Sequence, residues 1–257
     1  MRSGESSLQV ALVRMPTGPQ PSAEQVNEVK TRFLAKLKSE PPAVPFHASD
    51  LARINDNDIW ITVLLEAYKL DVEKTITRLW ENCEWRQSYG TNNITEKDVN
   101  QEYLNDGEIY VHNQDHEGKP LLIVDFSKHS KSKNQDDLIR LIVYWVERIQ
   151  RKDYLQKMTL FMDMTNAGLS NLDLDFIKAI INLFETKYPY TPNYIIVHQL
   201  PFLLNAAFKV VKTFMPADAL EILRVTTKKD IKQYVNQDNC LKIWGGNDDY
   251  KFKFESA

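Results

Sequence analysis

His112 and His116 stand four residues apart, a spacing that on a helix brings two imidazoles to one metal ion. Here they flank the turn of a strand–turn–strand pattern, so their side chains need not converge, and surface histidines are the simpler account. Cys83 and Cys240 are the only cysteines, too few for a disulfide scaffold or a four-cysteine zinc site. Gly168-Leu169-Ser170 approaches a nucleophile elbow but lacks the second glycine of GxSxG, and reads as a turn before a helix. Asp125 and Asp163 each close a buried strand, where catalytic carboxylates often lie. Without a nucleophile or cofactor motif beside them, capping and turn roles fit better. Neither GxxxxGK(S/T) nor GxGxxG occurs, and Gly245-Gly246 is the only adjacent pair among eight glycines. The expectation is a protein that is not an enzyme and needs no metal or cofactor.

The segment with most information is PFLLNAAFKVVKTFMPADAL, residues 201–220. As a helix it places Asn205, Lys209 and Lys212 on one narrow polar stripe. Phe202, Leu203, Ala206, Ala207, Val210 and Phe214 lie elsewhere around the cylinder. Such a wide apolar surface suits a buried helix. It equally suits a helix with an apolar ligand on its inner side and a membrane on its outer side. The two lysines at the boundary then favour anionic lipid. A second basic feature is the loop FSKHSKSKNQ, with Lys128, Lys131 and Lys133 following a buried strand. A third is RVTTKKDIK at 224–232. Both are solvated faces by default, and phosphate or membrane contacts if functional.

These groups are positioned by a chain of 257 residues, 43% apolar and 26% charged, with net charge −3 and pI about 6.0. That composition supports a sizeable core and argues against a nucleic-acid partner, which needs a strongly basic surface. No apolar run reaches the ~18 residues of a membrane span, so a soluble, cytoplasmic protein is expected. Residues 1–21 read as a disordered leader. Order is expected from Ser22, which forms a capping box with Gln25. Val26, Val29, Phe33 and Leu37 then recur at helical spacing until the Pro-rich stretch 41–45. Asp58 can cap a second helix. Asp71 opens a third, with Val72, Ile76, Leu79, Cys83 and Arg86 on one face and Gly90 at its end. Residues 22–100 are thus an all-helical bundle.

From about residue 107 the pattern changes. A hairpin turns at Asp115 to Gly118. Segments 120–126, 158–164 and 194–200 are continuous apolar strands, and 223–226 is a short fourth. Helices alternate with them: one from about Asp136, one opened by Asn171 or Asp173, and the segment 202–221. Alternation implies crossover connections and a mainly parallel sheet. The fold class is α/β: a mainly parallel sheet flanked by helices, preceded by the all-helical N-terminal bundle.

The order of these features resembles a known family. The bundle ends in Trp85-Arg86. The hairpin carries Asp115 to Gly118, and a strand ends in Asp163, followed by Gly168 to Ser170. A helix closes in Tyr188-Pro189, a strand ends in Pro201, a lysine-bearing helix follows, and Gly245-Gly246 comes last. Over residues 22–250 this is similar to the CRAL-TRIO lipid-binding domain with its N-terminal helical extension, the family of cellular retinaldehyde-binding, tocopherol-transfer and yeast-type phosphatidylinositol-transfer proteins. The resemblance implies a helical extension at 22–100, a lipid-binding domain at 101–250 and a tail at 251–257. It implies an apolar lipid pocket between the sheet floor and a mobile gate helix at 202–221. Phe202, Leu203, Ala206, Ala207, Val210 and Phe214 would then meet lipid. Lys209, Lys212, Lys128, Lys131 and Lys133 would meet the membrane or a headgroup.

Inositol-lipid binders of the family carry a Glu after the Tyr-Pro pair, and Thr and Lys beyond the gate. Tyr190, Ala219 and Ile222 stand there instead. Ile243-Trp244 replaces the family's Leu-Pro before the final glycines. Inositol-lipid specificity is therefore doubtful and the lipid class is open, retinoids and tocopherols included. The expected function is to bind a lipid and present or transfer it at a cytosolic membrane surface, for instance at membrane contact sites. The alternative is an adaptor module that has kept the fold and lost the ligand, its gate inserting into membrane or a lipid droplet. Within the family the likeness is greatest to a contact-site tether with a further protein-binding domain and an endoplasmic reticulum anchor. Tether partners and that location are expected only if a longer chain carries those parts.

Overall fold

The structure, a computed structural model, describes residues 20–256, so most of the leader expected at 1–21 lies outside the described residues. The N-terminal bundle comprises α1 (Ala23–Ser39), α2 (Ala48–Asp56), α3 (Ile59–Ala67) and α4 (Val72–Tyr89). The capping box at α1 forms as read: Gln25 N–H donates to Ser22 Oγ at 3.2 Å, and Ser22 N–H to Gln25 Oε1 at 3.0 Å. Asp71 caps α4, and Gly90 ends it at φ +77, a left-handed turn that glycine adopts without steric penalty. At α3 the expectation is corrected. Asp58 makes no cap; Asn57 Oδ1 accepts the Ile59 N–H, and Asp58 pairs with Lys30 at 3.1 Å. Val29, Phe33, Ile61, Leu65, Leu79 and Cys83 fill the bundle core.

After α5 (Gln101–Asp106) the sheet begins. It contains β1 (Ile109–Gln114), β2 (Pro120–Asp125), β3 (Met158–Asp163), β4 (Pro192–His198) and β5 (Leu223–Thr226), in that spatial order. β1 and β2 form the antiparallel hairpin; β2 through β5 are parallel. The crossovers carry α6 (Gln135–Gln150), α7 (Leu174–Thr186), and the pair α8 (Asn205–Phe214) and α9 (Ala217–Glu221). The segment expected as one helix over 202–221 therefore breaks at Met215-Pro216. Proline has no N–H to continue a helix and displaces the preceding residue from helical geometry.

The sequence landmarks meet in space. Arg86 crosses from the bundle to α6, its guanidinium holding Glu147 through two bonds at 2.8 and 3.1 Å and Asp50 at 2.9 Å. The Tyr188 hydroxyl donates to the same Glu147 at 2.7 Å. All four residues are buried. The Trp-Arg and Tyr-Pro pairs are thus two halves of one ionic seam that fixes the bundle on the α/β unit. Asp115 serves the hairpin similarly, accepting from Glu117 N–H, Lys119 N–H, Thr159 Oγ1 and Asn193 Nδ2. The end of the chain packs back on the hairpin side, Phe252 lying 4.9 Å from Tyr110 and Phe254 6.1 Å from Trp145.

Candidate functional site

Alternation along the strands sends successive side chains to opposite faces. Leu160 and Met162 of β3, Ile195 and Val197 of β4 and Leu223 of β5 share one face, which is hollow. A cavity of about 900 Å³ separates it from Ile177, Ile180, Ile181 and Phe184 of α7 and from α8. Leu204, Ala207, Phe208, Val211 and Met215 form the inner stripe of α8 and its flanking residues. Their spacing of i, i+3, i+4, i+7 and i+11 is that of one helical face. The volume lies at the upper end for ligand sites. Met162, Met164 and Met215 give its walls side chains that adapt to irregular apolar shapes.

Polarity is confined to one end. Near the strand exits the lining is Phe126, Met164, Leu172, Leu200 and Leu204. Near the strand starts it includes Glu66, Lys69 and Lys74 of the bundle, Lys157 before β3, Glu185, Tyr190, Asp218 and Glu221. Burial raises the Glu66 carboxyl, with Lys157 opposing. Burial also raises the Tyr190 hydroxyl, helped by the charges of Asp218, Glu66 and Glu221. Sequence reasoning missed the bundle's share in this end. No local pattern in 66–74 announces it, since only the packing of α3 and α4 brings these residues to the cavity.

Of the six residues expected to meet lipid, Ala207 lines the cavity. The other five are corrected. Phe202 is 91% exposed and Leu203 54%, and Ala206, Val210 and Phe214 also lie outward. The helix has two apolar faces, so the polar stripe alone could not decide which one faces in. Lys209 and Lys212 are exposed, with Lys212 Nζ 5.5 Å from the Phe208 ring centre.

The basic loop is corrected too. Lys128 Nζ donates to the carbonyls of Asp106 and Gly107, and Lys133 Nζ lies 2.5 Å from Asp106 and Glu108 carboxylates. These two lysines fasten the entry to β1, and only Lys131 extends to solvent without such a role. Glu108 also meets buried His129 at 2.7 Å, so the loop is a structural clamp.

The weaker chemical candidates take structural places. His112 meets Asp248 at 2.6 Å, whereas His116 meets the Lys232 carbonyl. Asp125 accepts from Ser127, Asp163 from Thr165 N–H and Trp244 Nε1, and Ser170 is exposed. Among the described residues no cluster of three or more His, Cys, Asp or Glu could hold a metal ion. No helix of the described residues is long and apolar enough to cross a membrane.

Comparison with known proteins gives this geometry a context. The model of the CRAL/TRIO domain family matches residues 104–246. A CRAL-TRIO domain-containing protein of Schizosaccharomyces pombe is 24% identical over 247 residues, 90% of this chain and 55% of its own length. Phosphatidylinositol transfer protein CSR1 of Eremothecium gossypii is 19% identical over 90% of this chain and 57% of its own length. The chain thus spans little more than half of these two relatives. SEC14 cytosolic factor of Candida glabrata is 23% identical, with 91% of this chain and 83% of that protein covered. Among solved structures, Sfh5 superposes with a TM-score of 0.68 at 15% identity, covering 91% of both chains. The family match takes in the sheet, α8 and the final glycine pair, and the chain belongs to the CRAL/TRIO domain family.

Proposed function

We propose that the chain binds an amphiphilic lipid in the cavity beneath α8 and presents or transfers it at a cytosolic membrane surface. One observation carries this reading: the cavity is apolar along floor, wall and roof, while its polar groups cluster at a single end. An amphiphile fits such a gradient with its chain toward Phe126 and Leu204 and its head toward Tyr190. Each methylene transferred from water contributes ~0.8 kcal/mol. Hinging at Met215-Pro216 would let α8 swing while α9 stays near the head, so exchange needs no covalent step. The exposed Phe202, Leu203, Val210 and Phe214, with Lys209 and Lys212, give the opening gate a surface suited to an anionic bilayer.

The name of one relative supports transfer of phosphatidylinositol by that relative. Here Tyr190, Ala219 and Ile222 all line the polar end. Glu66, Asp218 and Glu221 lie near that tyrosine and Lys69, Lys74 and Lys157 share the same end, so the head meets charges of both signs, without the Glu, Thr and Lys that the inositol-lipid binders carry at these three positions. Endoplasmic reticulum placement and contact-site tethering belong to this proposal only for a longer form bearing an anchor and a further domain.

The test is transfer of labelled lipids between donor and acceptor vesicles. Concentration-dependent transfer of one lipid class, with phosphatidylinositol weaker than that class, is expected. No transfer of any class would leave binding without transport, and preferential phosphatidylinositol transfer would contradict the reading of the polar end.

A further inference from the structure

Three strand exits leave the sheet at one edge. Asp163, His198 and Thr226 are in register at the ends of β3, β4 and β5. Beyond them Met164 N–H donates to the His198 carbonyl at 2.9 Å, and Gln199 N–H to the Thr226 carbonyl at 2.8 Å. The chain leaves β3 toward Leu169, β4 toward Phe202-Leu203 and β5 toward Lys228-Lys229. Leu169 is 67% exposed, and with Phe202 and Leu203 it puts three large apolar side chains into water beside exposed lysines.

A fourth segment joins them. A side-chain carbon built at Gly245 would lie 3.3 Å from Lys228 Cβ, so the turn carrying exposed Lys242 and Ile243 packs against the β5 exit. At the β5 exit Lys228 and Lys229 are exposed, and the aspartates beside them and beside Lys242 are already engaged. Asp230 accepts from Thr227 within its own turn, and Asp249 pairs with Lys242. Lys228 and Lys229 against Asp230 leave the β5 exit turn itself locally positive in a chain of net charge −3.

We propose that this strand-exit edge docks on an anionic lipid bilayer, with Phe202 and Leu203 entering the interface and Lys228 and Lys229 meeting the headgroups. The inference rests on the membrane part of the proposed function and adds a direction to it. Leu200 and Leu204 bracket Phe202 and line the apolar end of the cavity, whereas Tyr190 and the acidic groups lie at the far end. The bilayer therefore meets the cavity at its chain end, and a lipid leaves tail first with its head following. Aromatic and apolar side chains flanked by lysines are the chemistry that binds a charged interface.

The experiment is co-sedimentation with vesicles of phosphatidylcholine and phosphatidylserine, and of phosphatidylcholine alone, at low and high salt. Lys228→Gln with Lys229→Gln should weaken binding to the anionic vesicles about thirtyfold, from ~1 kcal/mol per lysine near a charged surface. High salt should erase the difference. Phe202→Ser should weaken binding to both vesicle types, and its exposure leaves the fold unaffected. Lys209→Gln with Lys212→Gln should have the smaller effect. If the Lys228/Lys229 variant binds anionic vesicles like the parent while the Lys209/Lys212 variant does not, the outer face of α8 docks alone and the proposal falls. It also falls if neither pair matters. Native mass spectrometry of the same variants separates this result from the cavity reading. Bound ligand should persist in all of them, since none of these side chains lines the cavity, and a ligand-free parent would break the cavity reading whatever the vesicles show.

Discussion

The two faces of β3 and β4 are made by alternate residues of the same strands, yet one is hollow and the other solid. Leu160, Met162, Ile195 and Val197 look into about 900 Å³ of space. On the other face Phe161 stacks on Trp244 at 4.1 Å, and the indole N–H donates to Asp163 at 2.6 Å. His198 lies 6.1 Å from the same indole, its Nδ1 3.0 Å from Thr226 Oγ1. Cavities in close-packed interiors are destabilising, because their linings forgo dispersion contacts. A sheet with one open face therefore relies on the other for its stability. Asp163 and the final glycine pair lie behind the sheet, whereas Tyr190, Ala219 and Ile222, which depart from the inositol-lipid pattern, line the hollow.

This contrast can be broken first at its strongest point. Trp244→Ala should cost ~4 kcal/mol, the range for deleting a buried tryptophan, and should strip Asp163 of its indole donor. Urea denaturation measures the loss. Gly246→Ala should cost about 3 kcal/mol. The new carbon would press on the Cys240 carbonyl oxygen and sit 2.5 Å from its carbon, and backbone on both sides has little room to yield. Both changes should take ligand binding down with the fold.

A milder probe uses pH. Burial, with a smaller push from Lys228, lowers the His198 imidazole from its usual 6.5 to about 4. The folded protein holds it neutral, whereas the unfolded chain protonates it below about pH 6.5. Its contribution is therefore complete above that pH and is lost as pH falls toward 4, reaching ~2 kcal/mol of destabilisation by about pH 5. Burial raises Asp163, which works in the opposite sense and returns stability as its carboxyl takes up a proton. Urea midpoints at about pH 7 and pH 5 should differ in the parent and converge in His198→Gln. Equal shifts in both proteins would remove His198 from the account.

How much of this was legible in sequence follows from where each signal is stored. Local signals are legible: the Ser22–Gln25 box, the Asp71 cap, the Asp115–Gly118 turn and the strands read at 120–126, 158–164 and 194–200, which run over Pro120–Asp125, Met158–Asp163 and Pro192–His198. The helical segment at 202–221 is legible, but which of its faces meets the cavity is not. Phe202, Val210 and Phe214 are as apolar as Leu204, Phe208 and Val211, so periodicity carries no sign. The inner stripe was present at helical spacing, and Pro216 marked the break. Lys128 and Lys133 looked like a basic patch because their partners Asp106 and Glu108 lie more than twenty residues upstream, where only the fold unites them.

The central claim is that the hollow face holds a lipid and the solid face does not depend on it. Ala207→Trp tests this most directly, because Ala207 is the expected lipid-facing residue that does line the cavity. Its indole would occupy space that is already open, changing stability by less than ~1 kcal/mol. Native mass spectrometry of parent and variant, each purified from a eukaryotic cytosol, is the measurement. The account predicts that the parent carries a lipid-sized mass excess and that Ala207→Trp, equally stable, carries none. A parent without bound lipid, or a variant that retains the same mass excess, would contradict it.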